Sequence, residues 1–331
     1  MKKIQYSVYK HETGSAGGKA KNDAFDCLLS SGFTPSYVPS NNRKIRIIQQ
    51  MLSIQKIKGE IFLVIQYPAI SSKVMDILLK RIKKVKCKSV ALIHDLPSIQ
   101  GMGGDVDREI HELNHFDYLI VHNSKMEEYL IGRGYKGKMI VLELFDYLHD
   151  TERNVTESSY AGKIAIAGNL DKAPYICDLQ KVDRYNFNLY GINKTLDLSN
   201  IHNISYQGCL PSDEIPYLLD ADYGLVWDGD SVDTCSGIYG KYLLYNNPHK
   251  LSLYIAAGKP VIVWSKSAVA NFVIKNKIGI AVNSLTDLQQ MDLSDGYDEM
   301  KRNVLAFKKK IAVGYFLKTA IEKIEKDINN G

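Results

Sequence analysis

The feature that most constrains the fold of this 331-residue chain is the regular alternation of short apolar runs with longer helical patterns. Runs such as IFLVI (61–65) and VALI (90–93) are apolar throughout, which is typical of parallel strands that are covered on both faces of a sheet. Strands separated by helical patterns of about 10–15 residues imply parallel strands joined by crossover helices. The alternation therefore predicts an α/β chain with doubly wound sheets.

The predicted elements form two series, and residues 146–162 between them are polar and lose the periodicity. The first series has strands at Ile4–Tyr9, Thr34–Val38, Ile61–Gln66, Ser89–Ile93, Tyr118–Val121 and Met139–Leu142, and helices at Ala20–Leu29, Arg43–Ile57, Ser72–Val85, Asp105–Asn114 and Ser124–Ile131. The second has strands at Lys163–Ala167, Phe187–Tyr190, Ile204–Gln207, Tyr223–Trp227 and Pro260–Trp264, and helices at Ser212–Leu219, Pro248–Ala257, Ala268–Lys275, Asp298–Ile311 and Tyr315–Ile328. At about 150 residues per domain, we predict an N-terminal domain over 1–148, a linker over 149–162 and a C-terminal domain over 163–331 that includes the final helices.

Two doubly wound, Rossmann-like domains of this kind would face a common cleft. Ligands of such sheets bind at the carboxyl ends of the strands. The arrangement is that of the GT-B glycosyltransferases, and also of some epimerases and two-domain binding proteins. Architecture alone does not choose among these functions.

Cysteine usage, hydropathy and charge disfavour several classes of protein. The five cysteines, an odd number without a CxxC pair, argue against a disulfide framework or a zinc site and suit a reducing compartment. No apolar run approaches the ~18 residues of a membrane span, and the first residues lack the apolar stretch of a secretory signal. The net charge is +5, with 22 basic and 16 acidic side chains in residues 1–150, an excess too weak for a dedicated nucleic-acid binder. We therefore expect a cytoplasmic protein without a nucleic-acid partner.

A glycine-rich loop follows the first predicted strand and precedes a helix. It runs from His11 to Lys19 and includes Gly17 and Gly18. Its glycines would let the backbone approach an anionic ligand at the helix N-terminus. The spacing matches neither GxGxxG nor GxxxxGK[ST], so NAD-binding and P-loop sites lose support. A flexible turn between strand and helix explains the same residues, and both interpretations stay open.

His94 and Asp95 stand where the predicted strand Ser89–Ile93 ends. At the carboxyl end of a parallel strand these side chains would point at the ligand-binding edge, where either could act as a general base on a sugar hydroxyl. The alternative is a hydrogen-bonded pair that orders the following loop, Pro97–Asp107. That loop contains Gly101-Met102-Gly103-Gly104, which suggests a segment that moves beside the site.

Two strand ends in the second half carry small residues that suit a nucleotide. The Gly168-Asn169 turn could bring backbone N–H groups to a phosphate, and Lys172 could add charge there. The strand FNLYG ends in Tyr190 and Gly191, which could border a base. Either turn could equally be an ordinary connection between a strand and a helix.

The densest polar region lies between Tyr223 and Trp264. Pro248 suits the first turn of a helix, and Lys250 in that turn could meet a diphosphate together with the helix dipole. The carboxylates of Asp228, Asp230 and Asp233 invite a metal interpretation. Hard cations need several converging oxygen ligands, whereas acids in loops commonly cap turns or bind sugar hydroxyls, so we expect no metal.

Several segments together identify a resemblance to a known family. They are WDGDSVDTCSGIYGKYLLYNNPHKLSLYIAAGKPVIVW (227–264), GGKAKNDAFD (17–26), LIHDLPSIQGMGG (92–104), IAGNL (166–170) and GIAVNSLTDLQ (279–289). They resemble bacterial β-1,6-galactofuranosyltransferases of O-antigen and exopolysaccharide assembly and, more distantly, streptococcal glucosyltransferases that extend GlcNAc on adhesins. The segments span nearly the whole chain. The WDGDS, TCSG and NNPHK blocks are specific, whereas AAGKPVIV is shared by many GT-B enzymes.

The resemblance implies a GT-B enzyme that transfers galactofuranose from UDP-galactofuranose to a sugar acceptor, with inversion and a β-linkage. It implies a lipid-linked polysaccharide intermediate, such as an undecaprenyl-linked glycan, as the acceptor, and no requirement for metal. The donor contacts that it suggests, with those from the strand ends, are Gly17, Gly18, Gly168, Asn169, Lys172, Tyr190, Gly191, Trp227, Asp228, Asp230, Asn247, His249 and Lys250. The alternatives are a UDP-glucose- or UDP-galactose-dependent transferase acting on a glycan or glycoprotein, and a non-catalytic GT-B subunit.

Inversion requires one base, and the resemblance makes Asp95 the first candidate and His94 the second. Retaining GT-B enzymes typically carry a glutamate just ahead of the AAG motif that contacts the ribose. The equivalent position here is Leu253. That departure weakens a retaining mechanism and leaves ribose recognition unassigned.

The stretch 72–88, SKVMDILLKRIKKVKCK, combines an apolar stripe with many lysines. A basic amphipathic helix can lie on an anionic leaflet, which would place the protein at the inner face of the plasma membrane. A crossover helix with its stripe on the sheet and its lysines in water explains the same pattern, and both can hold at once. The final helices could build an interface in a homo-oligomer or pack across the domains, because their periodicity does not decide.

Overall fold

The computed structural model describes residues 1–6, 16–37, 40, 42–68, 72–101, 103–153 and 160–330. Its strands form two parallel sheets of six strands each. The first sheet contains β1 (Lys2–Tyr6), β2 (Thr34–Pro35), β3 (Ile61–Tyr67), β4 (Cys87–Ile93), β5 (Tyr118–Val121) and β6 (Lys138–Val141). The second contains β7 (Lys163–Asn169), β8 (Asn186–Ile192), β9 (Ile204–Tyr206), β10 (Tyr223–Val226), β11 (Val261–Trp264) and β12 (Gly279–Val282).

Helices alternate with these strands, as the apolar pattern predicts. They are α1 (Ala16–Ser30), α2 (Arg43–Gln55), α3 (Ser72–Ile82), α4 (Val106–Leu113), α5 (Ser124–Gly132), α6 (Ile215–Leu218), α7 (Gly237–Tyr242), α8 (His249–Ala256), α9 (Ala270–Lys275), α10 (Tyr297–Ala312) and α11 (Tyr315–Asn330). Polar side chains define several starts: Asn42, Asp105 and Asn123 accept hydrogen bonds from backbone N–H groups of the first turns of α2, α4 and α5, which satisfies donors that the helix itself leaves unpaired. Within the described ranges, no helix is long and apolar enough to span a bilayer.

The order of the strands in a sheet shows the point at which successive strands begin to be added on the opposite side. The first sheet runs β2-β1-β3-β4-β5-β6, and the second runs β9-β8-β7-β10-β11-β12. The second order is the Rossmann order 3-2-1-4-5-6, whose reversal lies between its first and fourth strands. That position falls between β7 and β10, where Ile164 pairs with Tyr223 and Ala165 with Gly224. The fold class predicted from the alternation is confirmed.

The described chain divides into two compact units, each built around one sheet and its own apolar core. Residues 145–313 belong to the unit of the second sheet, and residues 314–330 belong to the unit of the first. The sequence assigned this last segment, α11, to the second domain. In the structure Asp327 of α11 accepts hydrogen bonds from Tyr118 (2.5 Å) and Lys138 (2.6 Å) at the edge of the first sheet. Its amphipathic pattern predicts a buried face but not which sheet it covers.

Some predicted boundaries differ from the structure, and others lie outside the described residues. The strand β12 and the short helix α7 were not predicted. The predicted strand Ile4–Tyr9, the glycine-rich loop and the linker extend into residues 7–15 and 154–159, which are not described. Val38 and Met102 are also outside the described residues.

Gly224 of β10 lets α8 pack directly on the second sheet. A Cβ at this position would overlap the ring of Tyr254, which is fully buried and accepts a hydrogen bond from the backbone N–H of Ala167 at 2.9 Å. We therefore expect Gly224→Ala to lower the free energy of unfolding by about 1–3 kcal/mol through overpacking, measured by urea denaturation. Gly132→Ala is the matched control, because a Cβ there has no atom within 4 Å. Equal stability of the two variants would contradict this account of the packing.

Candidate active site

The carboxyl edge of the second sheet gathers most of the residues that the sequence singled out. β7 ends at Asn169, β8 at Ile192 and β10 at Val226, and α8 starts at His249. β7 and β10 are neighbours on the two sides of the reversal in strand order. In open α/β sheets this is the position where ligands bind, so these strand ends mark the candidate site of this unit.

Lys250 is the second residue of α8, whose N-cap is Pro248. Its Nζ donates to the carbonyl oxygen of Trp227 at 3.0 Å and to Oδ1 of Asp228 at 2.7 Å. Both side chains are partly exposed, 19% for Lys250 and 24% for Asp228. The ammonium of Lys250 therefore lies at the end of β10 and beside the N-terminus of α8. A diphosphate at this position would be stabilised by the positive charge of Lys250 and by the positive end of the helix dipole.

The pairing of Lys250 with Asp228 was not predicted. The two residues are 22 positions apart in the chain, and the sequence assigned them separate contacts with the donor. In the structure the carboxylate of Asp228 pairs with this ammonium at the end of the strand. An anionic ligand at Lys250 would meet a cation whose charge is already partly offset.

The loop after β10 is anchored through Val232, which lies in the middle of the loop. Val232 is fully buried, and its carbonyl oxygen accepts from the backbone N–H of Leu285 at 2.7 Å and the hydroxyl of Ser284 at 3.1 Å. Asp230 and Asp233 are exposed. No group of three or more His, Cys, Asp or Glu side chains among the described residues could hold a metal ion.

The ends of β7 and β8 meet at glycines, of which Gly168 is exposed and Gly191 is buried. Gly168 and Asn169 are exposed, and the side chain of Asn169 accepts from the backbone N–H of Asp171 at 3.1 Å. Gly191 has a φ of +145°, and a Cβ there would overlap the carbonyl oxygen of Gly168. Only glycine therefore allows the two strands to end this close together. This leaves backbone at position 168 accessible to a ligand.

Lys172 and Tyr239 border the same edge. The ammonium of Lys172 lies 4.9 Å from the centroid of the Tyr239 ring, within the range of a cation–π contact. Tyr239 is 43% exposed. The sequence analysis did not name this tyrosine. The available signal was an aromatic residue in the polar segment that connects β10 to α8.

The structure corrects the expected roles of Tyr190 and Trp227. Tyr190 is 2% exposed and its hydroxyl accepts from the backbone N–H of Asp220 at 2.9 Å. Trp227 is fully buried, and its indole Nε1 donates to the carbonyl oxygen of Ser231 at 3.0 Å. Both rings belong to the interior, so they support the strand ends and offer no surface for a base or a sugar.

Asn247 and His249 fix the start of α8 instead of opening to solvent. Asn247 is buried, and the His249 ring stacks on the ring of Tyr147 with centroids 5.0 Å apart. One turn later, Ser252 donates to the carbonyl oxygen of Phe145 at 2.7 Å. These contacts hold the segment around residues 145–147 against α8 and thereby fix the position of Lys250.

Gly17 and Gly18 lie in the first turns of α1. Gly17 is exposed and Gly18 is buried. Behind them, Lys19 and Asp23 form a buried ion pair at 2.7 Å. The rest of the loop that would approach a ligand, residues 11–15, lies outside the described residues.

His94 and Asp95 follow β4 in the unit of the first sheet. The backbone N–H of His94 donates to the carbonyl oxygen of Tyr67 at 2.8 Å, which joins the ends of β3 and β4. The His94 side chain is buried, whereas Asp95 is half-buried and its Oδ1 accepts from Nε2 of Gln100 at 2.8 Å. Asp95 is thus the more accessible of the two groups, and it also orders its loop through Gln100.

Two buried polar residues near this strand end were missed. His122 follows β5 and its Nε2 lies 3.1 Å from the carbonyl oxygen of Ile93; burial lowers the pKa of this imidazole to about 4, so it is neutral. Glu109 accepts from the hydroxyl of Ser98 at 2.5 Å, and burial raises the pKa of its carboxyl. A polar residue directly after the apolar run YLIV was the available signal for His122.

Solved structures share this fold over the full length of the chain. Sucrose-phosphate synthase from Thermosynechococcus elongatus aligns over 100% of both chains with a TM-score of 0.64 and 10% identity. AviGT4, a glycosyltransferase of avilamycin A biosynthesis, aligns over 98% of this chain and 96% of that one with a TM-score of 0.53 and 11% identity. At these identities the likeness is one of fold, and the fold is GT-B, as predicted.

Sequence relatives match most of the chain. The β-1,6-galactofuranosyltransferase WbbI of Escherichia coli (strain K12) is 31% identical over 328 residues, 95% of each chain. Glucosyltransferase 3 of Streptococcus gordonii is 25% identical over 250 residues, 73% of this chain and 72% of that one. These relatives make the chain a glycosyltransferase, which implies a nucleotide-sugar donor and a glycan acceptor.

Both halves of the chain match domains of one family. The Glucosyltransferase 3-like N-terminal domain matches residues 3–144, and the Glucosyltransferase 3-like C-terminal domain matches residues 164–324. Together they cover the two sheets and leave out only the chain ends and the connecting segment. The chain belongs to the glucosyltransferase 3-like family of GT-B glycosyltransferases.

Proposed function

We propose that this chain is an inverting transferase that moves galactofuranose from UDP-galactofuranose to a sugar acceptor and forms a β-linkage. The observation that carries the proposal is Lys250, a partly exposed cation at a helix N-terminus beside the reversal in strand order. That position suits the diphosphate of a nucleotide sugar. The choice of galactofuranose is supported by the likeness to WbbI over 95% of both chains.

The donor would lie along the carboxyl edge of the second sheet. Lys250 and the N-terminus of α8 would offset the charge of the diphosphate, so no metal is needed for that purpose. The strand ends at Gly168, Asn169 and Gly191, with Lys172 beside them, would receive the uridine side. Asp230, exposed at the end of β10, would accept hydrogen bonds from sugar hydroxyls. Trp227 and Tyr190 would act from the interior only.

Asp95 is proposed as the base that acts on the acceptor. Its carboxylate would take the proton of the acceptor hydroxyl while that oxygen forms a bond to the anomeric carbon. The bond from the anomeric carbon to the UDP oxygen breaks on the opposite face, and its electron pair leaves with the diphosphate. The charge that develops there is the one that Lys250 offsets. We propose a lipid-linked polysaccharide intermediate as the acceptor.

UDP-glucose is the alternative donor to test, because one relative is a glucosyltransferase. The 25% identity with the streptococcal Glucosyltransferase 3 over 250 residues favours UDP-glucose as the alternative donor. The two readings share the diphosphate site and differ only in the sugar. A donor panel therefore separates them without any change to the protein.

We expect UDP-galactofuranose to be turned over with a kcat/KM at least about tenfold above UDP-glucose and UDP-galactopyranose, because hydrogen bonds to sugar hydroxyls discriminate strongly. The measurement is UDP release with simple glycoside acceptors, followed by assignment of the product anomer by NMR. The Lys250→Ala variant supplies the blank for hydrolysis outside the site. Faster turnover of UDP-glucose, or an α-linked product, would overturn the proposal.

A further inference from the structure

The helix α2 has a buried face and, on the opposite side, an exposed apolar face. Its inward face buries residues such as Ile54 and Ser53 against the unit of the first sheet. Its outward face exposes four large apolar side chains: Ile45 (49%), Ile48 (57%), Met51 (44%) and Leu52 (60%). Spacings of three, four and seven residues place them on one stripe of the helix. Exposed apolar side chains gathered on one stripe mark a surface for a partner.

The surroundings of this stripe carry one sign of charge. Residues 42–58 contain five Lys and Arg and no Asp or Glu. Residues 72–88, which include α3, contain seven Lys and Arg and one acid, Asp76. The Lys and Arg side chains of these two segments, 42–58 and 72–88, are called the cationic border of the stripe below.

The two segments are also adjacent in space. Arg81 of α3 donates through Nε at 2.9 Å and through Nη2 at 2.7 Å to the carbonyl oxygen of Ile57, just beyond α2. The apolar stripe of α3, with Val74, Leu78 and Ile82, is buried, and Lys80, Lys83 and Lys84 are exposed. The exposed lysines in and just after α3 thus lie next to a helix with an exposed apolar stripe.

We propose that the outward face of α2, together with the exposed Lys80 of α3 and Lys83 and Lys84 just after it, is a docking surface for an anionic lipid bilayer. Apolar side chains of an interfacial helix enter the boundary between headgroups and acyl chains, and lysines at its border attract anionic headgroups. A second copy of this chain fits less well, because a symmetric contact through this face would bring two cationic borders together. The proposal does not depend on which sugar the enzyme transfers.

The test uses the full chain and sedimentation with two kinds of vesicle, phosphatidylcholine alone and phosphatidylcholine mixed with phosphatidylglycerol. The wild-type protein is expected to bind the anionic vesicles and to be released by salt. Ile48→Ser with Leu52→Ser should weaken that binding at least about tenfold, because two apolar side chains lose their burial in the bilayer. Leu218→Ser with Ile274→Ser is the matched control, since these side chains are 46% and 52% exposed on the other unit.

A charge variant tests the cationic border by itself. Lys83→Glu with Lys84→Glu should lower the affinity for anionic vesicles at least about tenfold and leave the weak affinity for phosphatidylcholine unchanged. Lys323→Glu with Lys326→Glu, two exposed positions of α11, supplies the same charge change elsewhere. Equal binding to both kinds of vesicle, or no binding to either, would overturn the proposal. A dimer in the absence of lipid that Ile48→Ser with Leu52→Ser abolishes would assign the surface to a second copy instead.

Discussion

The variant Asp95→Asn is expected to lower kcat about 10²–10⁴-fold, the range that a positioned general base contributes. Asparagine keeps an oxygen that can accept from Gln100, whose bond to Asp95 is 2.8 Å long, so the loop should keep its arrangement. What it removes is the basicity that takes the proton from the acceptor hydroxyl. UDP affinity should be unchanged, because the proposed diphosphate contacts belong to the other unit. UDP release under saturating donor and acceptor, with calorimetric titration of UDP, measures both quantities.

Gln100→Ala is the control that separates chemistry from loop structure. It deletes the hydrogen bond to Asp95 and leaves the carboxylate in place. We expect a smaller loss of turnover than in Asp95→Asn, since the basic carboxylate remains and a hydrogen bond to a charged group contributes about 1.5–3 kcal/mol. Near-normal turnover of Asp95→Asn would refute the assignment. Equal loss in both variants would mean that Asp95 acts by ordering the loop.

The fold was predictable because strands that are buried on both faces of a sheet appear in the sequence as continuous apolar runs. Strands such as β3 and β4 are apolar runs that only a covered parallel sheet explains, and their positions agree with the prediction to within a few residues. The elements that were missed are short and rich in glycine. β12 has four residues and begins with Gly279, and α7 has six residues with Gly237 and Gly240 among them. Such segments form because their neighbours are already in place, and local propensity does not indicate them.

The site was predictable at the level of strand ends but not at the level of side-chain direction. The sequence placed Gly168 and Asp228 at two strand ends, and the structure shows that these strands are neighbours. Whether a side chain at a strand end points into the core or to solvent depends on the register of the last residues. A shift of one residue reverses it, so the strand end alone does not indicate that the Trp227 ring lies in the core, as it does in the structure.

The order of the strands also decides which charges meet. Lys250 and Asp228 pair because α8 packs on β10, through Tyr254 and Gly224. Nothing in the spacing of the two residues along the chain indicates this contact. The packing of α11 escaped prediction for a similar reason, because its apolar stripe fits either sheet, and contacts such as those of Asp327 with Tyr118 and Lys138 show which sheet it covers.

The ion pair at the end of β10 leads to the second large expected effect. Lys250→Ala should lower the affinity for UDP and reduce kcat/KM about 10²–10³-fold, the loss seen when one preorganised group that stabilises developing charge is removed. The variant also leaves the carboxylate of Asp228 beside the diphosphate without its 2.7 Å partner, which adds repulsion. Stability should change little, because a partly exposed ion pair contributes at most about 1 kcal/mol. Calorimetric titration of UDP and thermal unfolding measure the two effects separately, and Lys241→Ala in α7, an exposed lysine of the same unit, is the control.

A double-mutant cycle shows whether Asp228 works through Lys250. If the carboxylate only positions the ammonium, Asp228→Asn should cost far less than Lys250→Ala, within about tenfold, and the double variant should resemble Lys250→Ala alone, a non-additive result typical of groups in direct contact. If Asp228 binds the donor independently, the two losses should add. If the Lys250→Ala variant bound UDP within twofold of the wild-type affinity, the proposed position of the diphosphate at this edge of the sheet would be wrong. It would leave the family and the fold intact, because neither depends on this residue.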